Sequence, residues 1–304
     1  MTPEDCINLS YVIPCYNHEF FVQLCLDSVK NDMIFDSEII IIDDGSVDQS
    51  VKMISDWIAN NPEIQIKFIQ QKNKGVSTTL NRLFDLARGE YIRVIASDDL
   101  LIAGSSQNLL NKLQANSKKK MIFGDCQTID MNGKIISDSH IKYRGQSVKK
   151  YTEKTAEAII ANWAVAGPGY ICKKEIHTEF GRYDESLLIE DWNMYLRLAA
   201  HNCIMFLPEP VAKYRIHTTN TSITKDIKKR ITNLESQYLG GYKNLNFFKF
   251  KYQLLLKSEL SLLKSKIYFL KTEYTKAVLY VAAFIIQKTS AVLLLNFKNE
   301  EFGE

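Results

Sequence analysis

The chain has 304 residues, 46% hydrophobic and 24% charged, with only 13 glycines and 6 prolines. This excludes a collagen-like, low-complexity or wholly disordered polymer and leaves ample apolar area for a large core. The net charge of +3 conceals an asymmetry: residues before 225 carry 24 basic against 28 acidic side chains, and those from Lys225 onward carry 14 against 7. An acidic body without aromatics set along a basic stripe argues against nucleic acid as a partner. The basic tail reads first as a solvated helical face and second as a contact for an anionic surface.

Six cysteines, at 6, 15, 25, 126, 172 and 203, form no CxxC pair and no metal-type repeat, and Glu4 and Asp5 stand where an export signal would be basic. A reducing, cytoplasmic setting is expected.

Taken in chain order, apolar runs at 9–14, 38–42, 64–69 and 91–96 alternate with amphipathic runs at 19–30, 48–60, 76–87 and 104–116. That is strand then helix, four times. Ile39, Ile40, Ile41 and Ile42 show no polar alternation, as expected of a central strand covered on both faces. The expected fold is α/β, a doubly wound and mostly parallel sheet. After residue 126 the regularity breaks: a turn at Asn132-Gly133 separates two short strands, and helices are expected over 153–161 and 190–201. Strands follow over 204–207 and 211–216. The loop at Ala166-Gly167-Pro168-Gly169 reads equally as a plain turn and as the lining of a cleft.

From Lys225 the pattern is helical, so the expected division is a catalytic domain over 1–224 and a basic helical appendage over 225–304. Leu256, Leu260, Leu263, Ile267, Leu270, Tyr274, Ala277, Val281 and Phe284 follow a four-three spacing, a packing seam for the body, a helical hairpin or a second subunit in an oligomer. The apolar run 277–286 stops at Gln287-Lys288, too short to span a bilayer, though a surface-lying segment touching the membrane peripherally fits it.

In an open parallel sheet ligands bind beyond the carboxyl ends of the strands. There the chain places Pro14-Cys15-Tyr16-Asn17, Asp43-Asp44-Gly45-Ser46, Lys72-Asn73-Lys74-Gly75 and Ser97-Asp98-Asp99. Acids at two strand ends would repel a polyphosphate unless a divalent cation, Mn²⁺ or Mg²⁺, lies between them. Each pair alone would be expected as a helix N-cap; two pairs at adjacent strand ends favour a ligand site.

These segments, with Asn81, Gly89-Glu90-Tyr91-Ile92, Glu190-Asp191-Trp192 and Arg197, resemble family 2 glycosyltransferases with the GT-A fold, many of which build bacterial surface polysaccharides. The resemblance covers residues 9 to about 217. It implies an inverting, metal-dependent transfer of sugar from a UDP-sugar donor to a hydroxyl of a glycan or lipid-linked acceptor. Pro14, Tyr16, Asp44, Lys74 and Asp98 would bind the nucleotide sugar, Asp99 and His217 the metal, and Glu190 with Asp191 would form the base motif, Asp191 taking the acceptor proton. The chain departs from the family at Ala96, where an acid is common. Trp192 shares a face with Leu196 and Ala199 and is expected in the core. His18, His140, His177 and His201 read as structural or surface residues. The competing readings are a sugar nucleotidyltransferase, which would want a glycine-rich basic loop after the first strand, and a degenerate nucleotide-sugar-binding scaffold. A dehydrogenase is excluded by the lack of GxGxxG.

Overall fold

The computed structural model describes residues 7–218, 220 and 224–296; Glu4, Asp5 and Cys6 lie outside them. The first part runs β1 (Leu9–Cys15), α1 (Val22–Asp32), β2 (Ser37–Asp43), α2 (Ser50–Asn60), β3 (Ile66–Gln70), α3 (Val76–Leu86), β4 (Tyr91–Val94), β5 (Leu100–Leu101) and α4 (Ser105–Gln114). It continues through β6 (Met121–Ile129), β7 (Ile135–Ser137), α5 (His140–Tyr143), α6 (Val148–Glu153), α7 (Thr155–Ala161), β8 (Tyr170–Lys173), α8 (Ile176–Glu179), α9 (Asp191–Ala200) and β9 (Ile204–Arg215). The tail forms α10 (Ile227–Lys243), α11 (Phe250–Leu270) and α12 (Tyr274–Asn296).

Among the described residues the strands make one sheet in the order β3-β2-β1-β4-β8-β6-β9-β5, with β7 beside β6. Neighbours from β3 to β4 are parallel, whereas β8 enters antiparallel between β4 and β6. Ile39 and Ile41 pack with α1, α2 and α4 through Leu26, Trp57 and Leu109. Ile40 and Ile42, on the opposite face, are also fully buried, and α3 packs against β1 and β2. A strand without polar alternation is thus covered twice.

The hairpin predicted at Gly133 joins β6 and β7, that glycine taking φ +84°. The two strands expected over 204–216 are instead one, β9, whose register against β6 shifts between Gly124 and Cys126. Pro208 and Pro210 lack amide donors, so the strand passes them at this irregularity. Gly124 is required there, since a Cβ would lie 2.6 Å from a Val211 methyl.

The described residues fall into two compact units. The first draws on Met1–Thr152, Ala164–Glu185 and Cys203–His217 and holds the sheet; the second draws on Glu153–Trp163, Ser186–Asn202 and Thr218–Glu304 and is helical. The division expected at residue 225 is therefore too simple, because α7 and α9 cluster with the tail helices. The reason is Trp192 on α9, buried as its spacing predicts, with Nε1 donating to Ile159 O of α7 at 2.8 Å. Its ring occupies room left by Gly241 of α10, where a Cβ would stand 2.9 Å from the ring. Leu256, Leu260, Leu263 and Ile267 bury their side of the seam, but the chain turns after α11, with Thr272 at φ +62°, and α12 folds back along α11 as a helical hairpin.

Candidate active site

The order of the parallel strands reverses between β1 and β4, and the loops following these two strands face one another at that switch point. Several hydrogen bonds tie the β1 loop to the segment after β2. Asn17, at φ +55°, donates its amide to Ser46 Oγ at 2.8 Å and accepts from Val47 N through Oδ1 at 2.9 Å. His18 N donates to Ser50 Oγ at 2.8 Å. Across the switch point, His18 Nδ1 lies 2.8 Å from Ser97 Oγ, so the β4 loop is held against the β1 loop.

This brings three potential ligands together. His217 Nε2 is 2.9 Å from Asp98 Oδ2, His18 Nε2 is 3.7 Å from the same oxygen, and one ligand atom from each residue falls within a 4.8 Å cluster. Burial lowers the His18 imidazole below its ordinary value, although the Asp98 charge pulls the other way. Burial works against the Asp98 charge, but the hydrogen bond from His217 and the proximity of His18 outweigh it and hold the carboxyl below its ordinary range. Phe21 walls the cluster, its ring 4.9 Å from that of His217.

The acid that meets these imidazoles is Asp98, where Asp99 was expected. Asp99 Oδ1 instead accepts from Arg215 N at 2.8 Å, and burial, with the neighbouring Asp98 charge, raises its carboxyl well above the ordinary value. Arg215 is itself buried: Nε donates to Asp98 O at 2.7 Å and the guanidinium lies over Phe21. Asp99 and Arg215 thus join β9 to the β4 loop and point Asp98 and His217 the same way. Two imidazole nitrogens and one carboxylate fit a first-row divalent ion such as Mn²⁺ better than Mg²⁺, which favours oxygen ligands.

On the β2 side the two acids differ. Asp43 closes its own turn, accepting from Gly45 N and Ser46 N through Oδ1, and is not the helix N-cap expected of the pair, since Gln49 precedes α2. Asp44 reaches to the loop after β3: Oδ1 accepts from Lys74 N at 2.8 Å and Gln71 Nε2 at 2.7 Å, and Oδ2 from Gly75 N at 2.9 Å. Asp44 therefore shapes the loop that presents the exposed Lys74 side chain. Pro14 is half-buried and Tyr16 is exposed at the mouth of the same strand ends.

In the helical unit, Asp191 opens α9 and accepts Trp192 N through Oδ1 at 2.6 Å. Burial raises its carboxyl to about 6, and burial together with the Asp191 charge raises Glu190 to about 8. Adjacent acids whose titrations are driven apart in this way share one negative charge near neutral pH.

Residues 10–170 match the family model for Glycosyl transferase family 2, more than half of the chain. The chain belongs to that family. It is 30% identical over 224 residues to a chondroitin synthase of Escherichia coli, a match covering 73% of this chain and 31% of the relative, so the chain spans about a third of that protein. Among solved structures, Staphylococcus aureus TarS 1–349 in complex with UDP-GlcNAc superposes with a TM-score of 0.60 at 14% identity, covering 93% of this chain and 90% of that one. Mannosyltransferase PcManGT of Pyrobaculum calidifontis, in complex with GDP-Man and Mn²⁺, gives 0.62 at 15% identity, covering 95% and 80%. The GT-A-like α/β fold is shared with both.

Within this family 2 chain, sequence reasoning did not anticipate that His18 and Arg215 lie beside Asp98. His18 read as structural because nothing local marks it; only the crossing of β1 and β4 puts it beside Asp98. Arg215 stands two residues before His217, a spacing that places both on one side of an extended strand. His140 and His177 are structural as expected, the first 3.1 Å from Thr128 Oγ1 and the second stacked on Phe84. The Gly167–Gly169 segment is a short turn into β8.

Proposed function

We propose that the chain transfers a sugar, with inversion, from a UDP-sugar to a hydroxyl of a glycan or lipid-linked glycan in bacterial surface polysaccharide synthesis. The observation that carries this reading is the convergence of His18, Asp98 and His217 at the switch point of a family 2 sheet. These three residues would hold Mn²⁺, which when bound would neutralise the leaving diphosphate. Pro14 and Tyr16 flank the nucleotide base, and Asp44 Oδ2, which accepts one hydrogen bond among the described residues, is the oxygen assigned to it. Lys74, carried on the loop that Asp44 organises, supplies positive charge toward the donor.

Asp191 is the proposed base. A carboxylate with a raised proton affinity is a better acceptor for a hydroxyl proton than an ordinary surface acid, and Glu190, holding the pair's proton near neutral pH, keeps the second charge out. Inversion requires that the base take the acceptor's proton on the side of the sugar opposite the leaving diphosphate. UDP support comes from the TarS complex with UDP-GlcNAc, and Mn²⁺ support from the PcManGT complex.

The test is a screen of UDP-sugars for Mn²⁺-dependent hydrolysis and transfer, alongside calorimetry of UDP with and without Mn²⁺. Metal-assisted UDP binding with turnover of at least one donor is expected. UDP binding that ignores the metal overturns the cation assignment, and metal-assisted binding with no turnover of any donor favours the scaffold.

A further inference from the structure

The helix α12 is long and apolar enough to cross a membrane by length and composition, contrary to the short run read from 277–286, because the helix continues past Gln287-Lys288 to Asn296. It is nevertheless laid along α11. Lys288 is the one charged residue between Ala277 and Leu295. Its Nζ turns toward α11 and donates to Glu259 Oε1 at 2.6 Å, and Ser261 Oγ donates to Gln287 Oε1 at 2.8 Å. The polar side of α12 is therefore used up inside the hairpin. The other side exposes Val278, Leu279, Ile285, Ile286, Val292 and Leu293, each at least 43% exposed.

We infer that this face of α12 is a docking surface for an anionic lipid bilayer, with the hairpin lying in the plane of the interface. The surroundings of the face select that occupant. At the α11–α12 turn Phe269 and Tyr274 are 61% and 57% exposed with ring centroids 5.6 Å apart, aromatic residues of the kind that settle at the headgroup level. The hairpin 250–296 carries seven lysines against two glutamates, and Lys257 and Lys266 are exposed on α11. An apolar stripe on a hairpin with this lysine excess matches the composition of interfacial helices, and phosphate headgroups complement a charge that a second copy of the same hairpin would repel. A span is disfavoured because α11, packed along α12, would have to bring Lys257, Glu259, Lys264 and Lys266 into hydrocarbon. The inference is independent of the catalytic reading.

Co-sedimentation of the full chain with phosphatidylcholine vesicles, with and without phosphatidylglycerol, tests it. Binding is expected only with the anionic lipid, released by alkaline carbonate, with the protein monomeric in solution. The exposed double substitution Ile285→Glu/Ile286→Glu is expected to weaken partition more than about tenfold. Lys257→Glu and Lys266→Glu are each expected to weaken it by at least about fivefold. Circular dichroism melts confirm that the variants fold. Unchanged binding by these folded variants overturns the inference, as does carbonate-resistant insertion, which would mean a span. Absence of vesicle binding together with a dimer dissolved by Ile285→Glu/Ile286→Glu overturns it in favour of a second copy.

Discussion

At the level of single residues, adjacent acids do different work according to where the fold turns them. Asp98 and Asp99 are neighbours, yet one faces two imidazoles and the other the amide of Arg215. Asp98→Ala is accordingly expected to abolish Mn²⁺-assisted UDP binding and, by removing the buried partner of His217, to lower the melt as well. Asp99→Ala leaves a buried amide unpaired, costing about 1–3 kcal/mol, whereas Asp99→Asn keeps the acceptor oxygen and stays near wild type in Mn²⁺ affinity. Calorimetry and denaturant titration on the three proteins separate these outcomes. Asp191→Asn is expected to slow transfer by roughly 10²- to 10⁴-fold with UDP affinity intact. Since burial raises Asp191 to about 6, the rate of the wild type should fall with acidity below about pH 6, where an ordinary aspartate would hold activity down to roughly pH 4. A pH profile of kcat/KM, with an acid limb that moves or vanishes in Asp191→Asn, is the check.

At the level of elements, α10 offers an internal comparison. Gly241 leaves room for Trp192 and Leu260, whose atoms would stand 2.9 and 2.7 Å from an added Cβ, whereas at Gly240 the nearest atom would be 3.3 Å away. Gly241→Ala is expected to destabilise by about 1–3 kcal/mol through overpacking against an indole that cannot move. Gly240→Ala should be close to neutral, the gain in helix propensity of about 1 kcal/mol offsetting a tight contact. Denaturant midpoints of the two variants decide it; equal effects would show that the ring of Trp192 adapts.

At the level of the whole molecule, titration links the acid pair to stability. In the unfolded chain Glu190 and Asp191 titrate near 4, while the folded chain holds their protons to about 8 and about 6. Between those limits the folded state binds more protons than the unfolded one, so the pair's contribution is fully present below about pH 4 and is lost as pH rises through 6 and then 8. Melting temperatures measured from pH 5 to 9 should decline over that window on account of this pair. Glu190→Gln should flatten the upper part of the decline, and a slope unchanged by that substitution would assign it to other groups.

The alternation of strand and helix through residue 116, the doubly covered isoleucine run, the Gly133 hairpin and the core position of Trp192 were all legible in the sequence. Each is a local pattern, written by side-chain period or backbone requirement within a few turns of chain. The family motifs were legible for the same reason, as contiguous residues at strand ends. Which acid joins His217, the place of His18 beside it and the part played by Arg215 were decided by tertiary structure, since they depend on β9 returning beside β6 and on β1 meeting β4 at the switch point. The grouping of α7 and α9 with the tail was likewise unreadable in advance, because it rests on an indole fitting a glycine some fifty residues away. Periodicity along a chain reports which face is apolar; only the folded arrangement determines what that face meets.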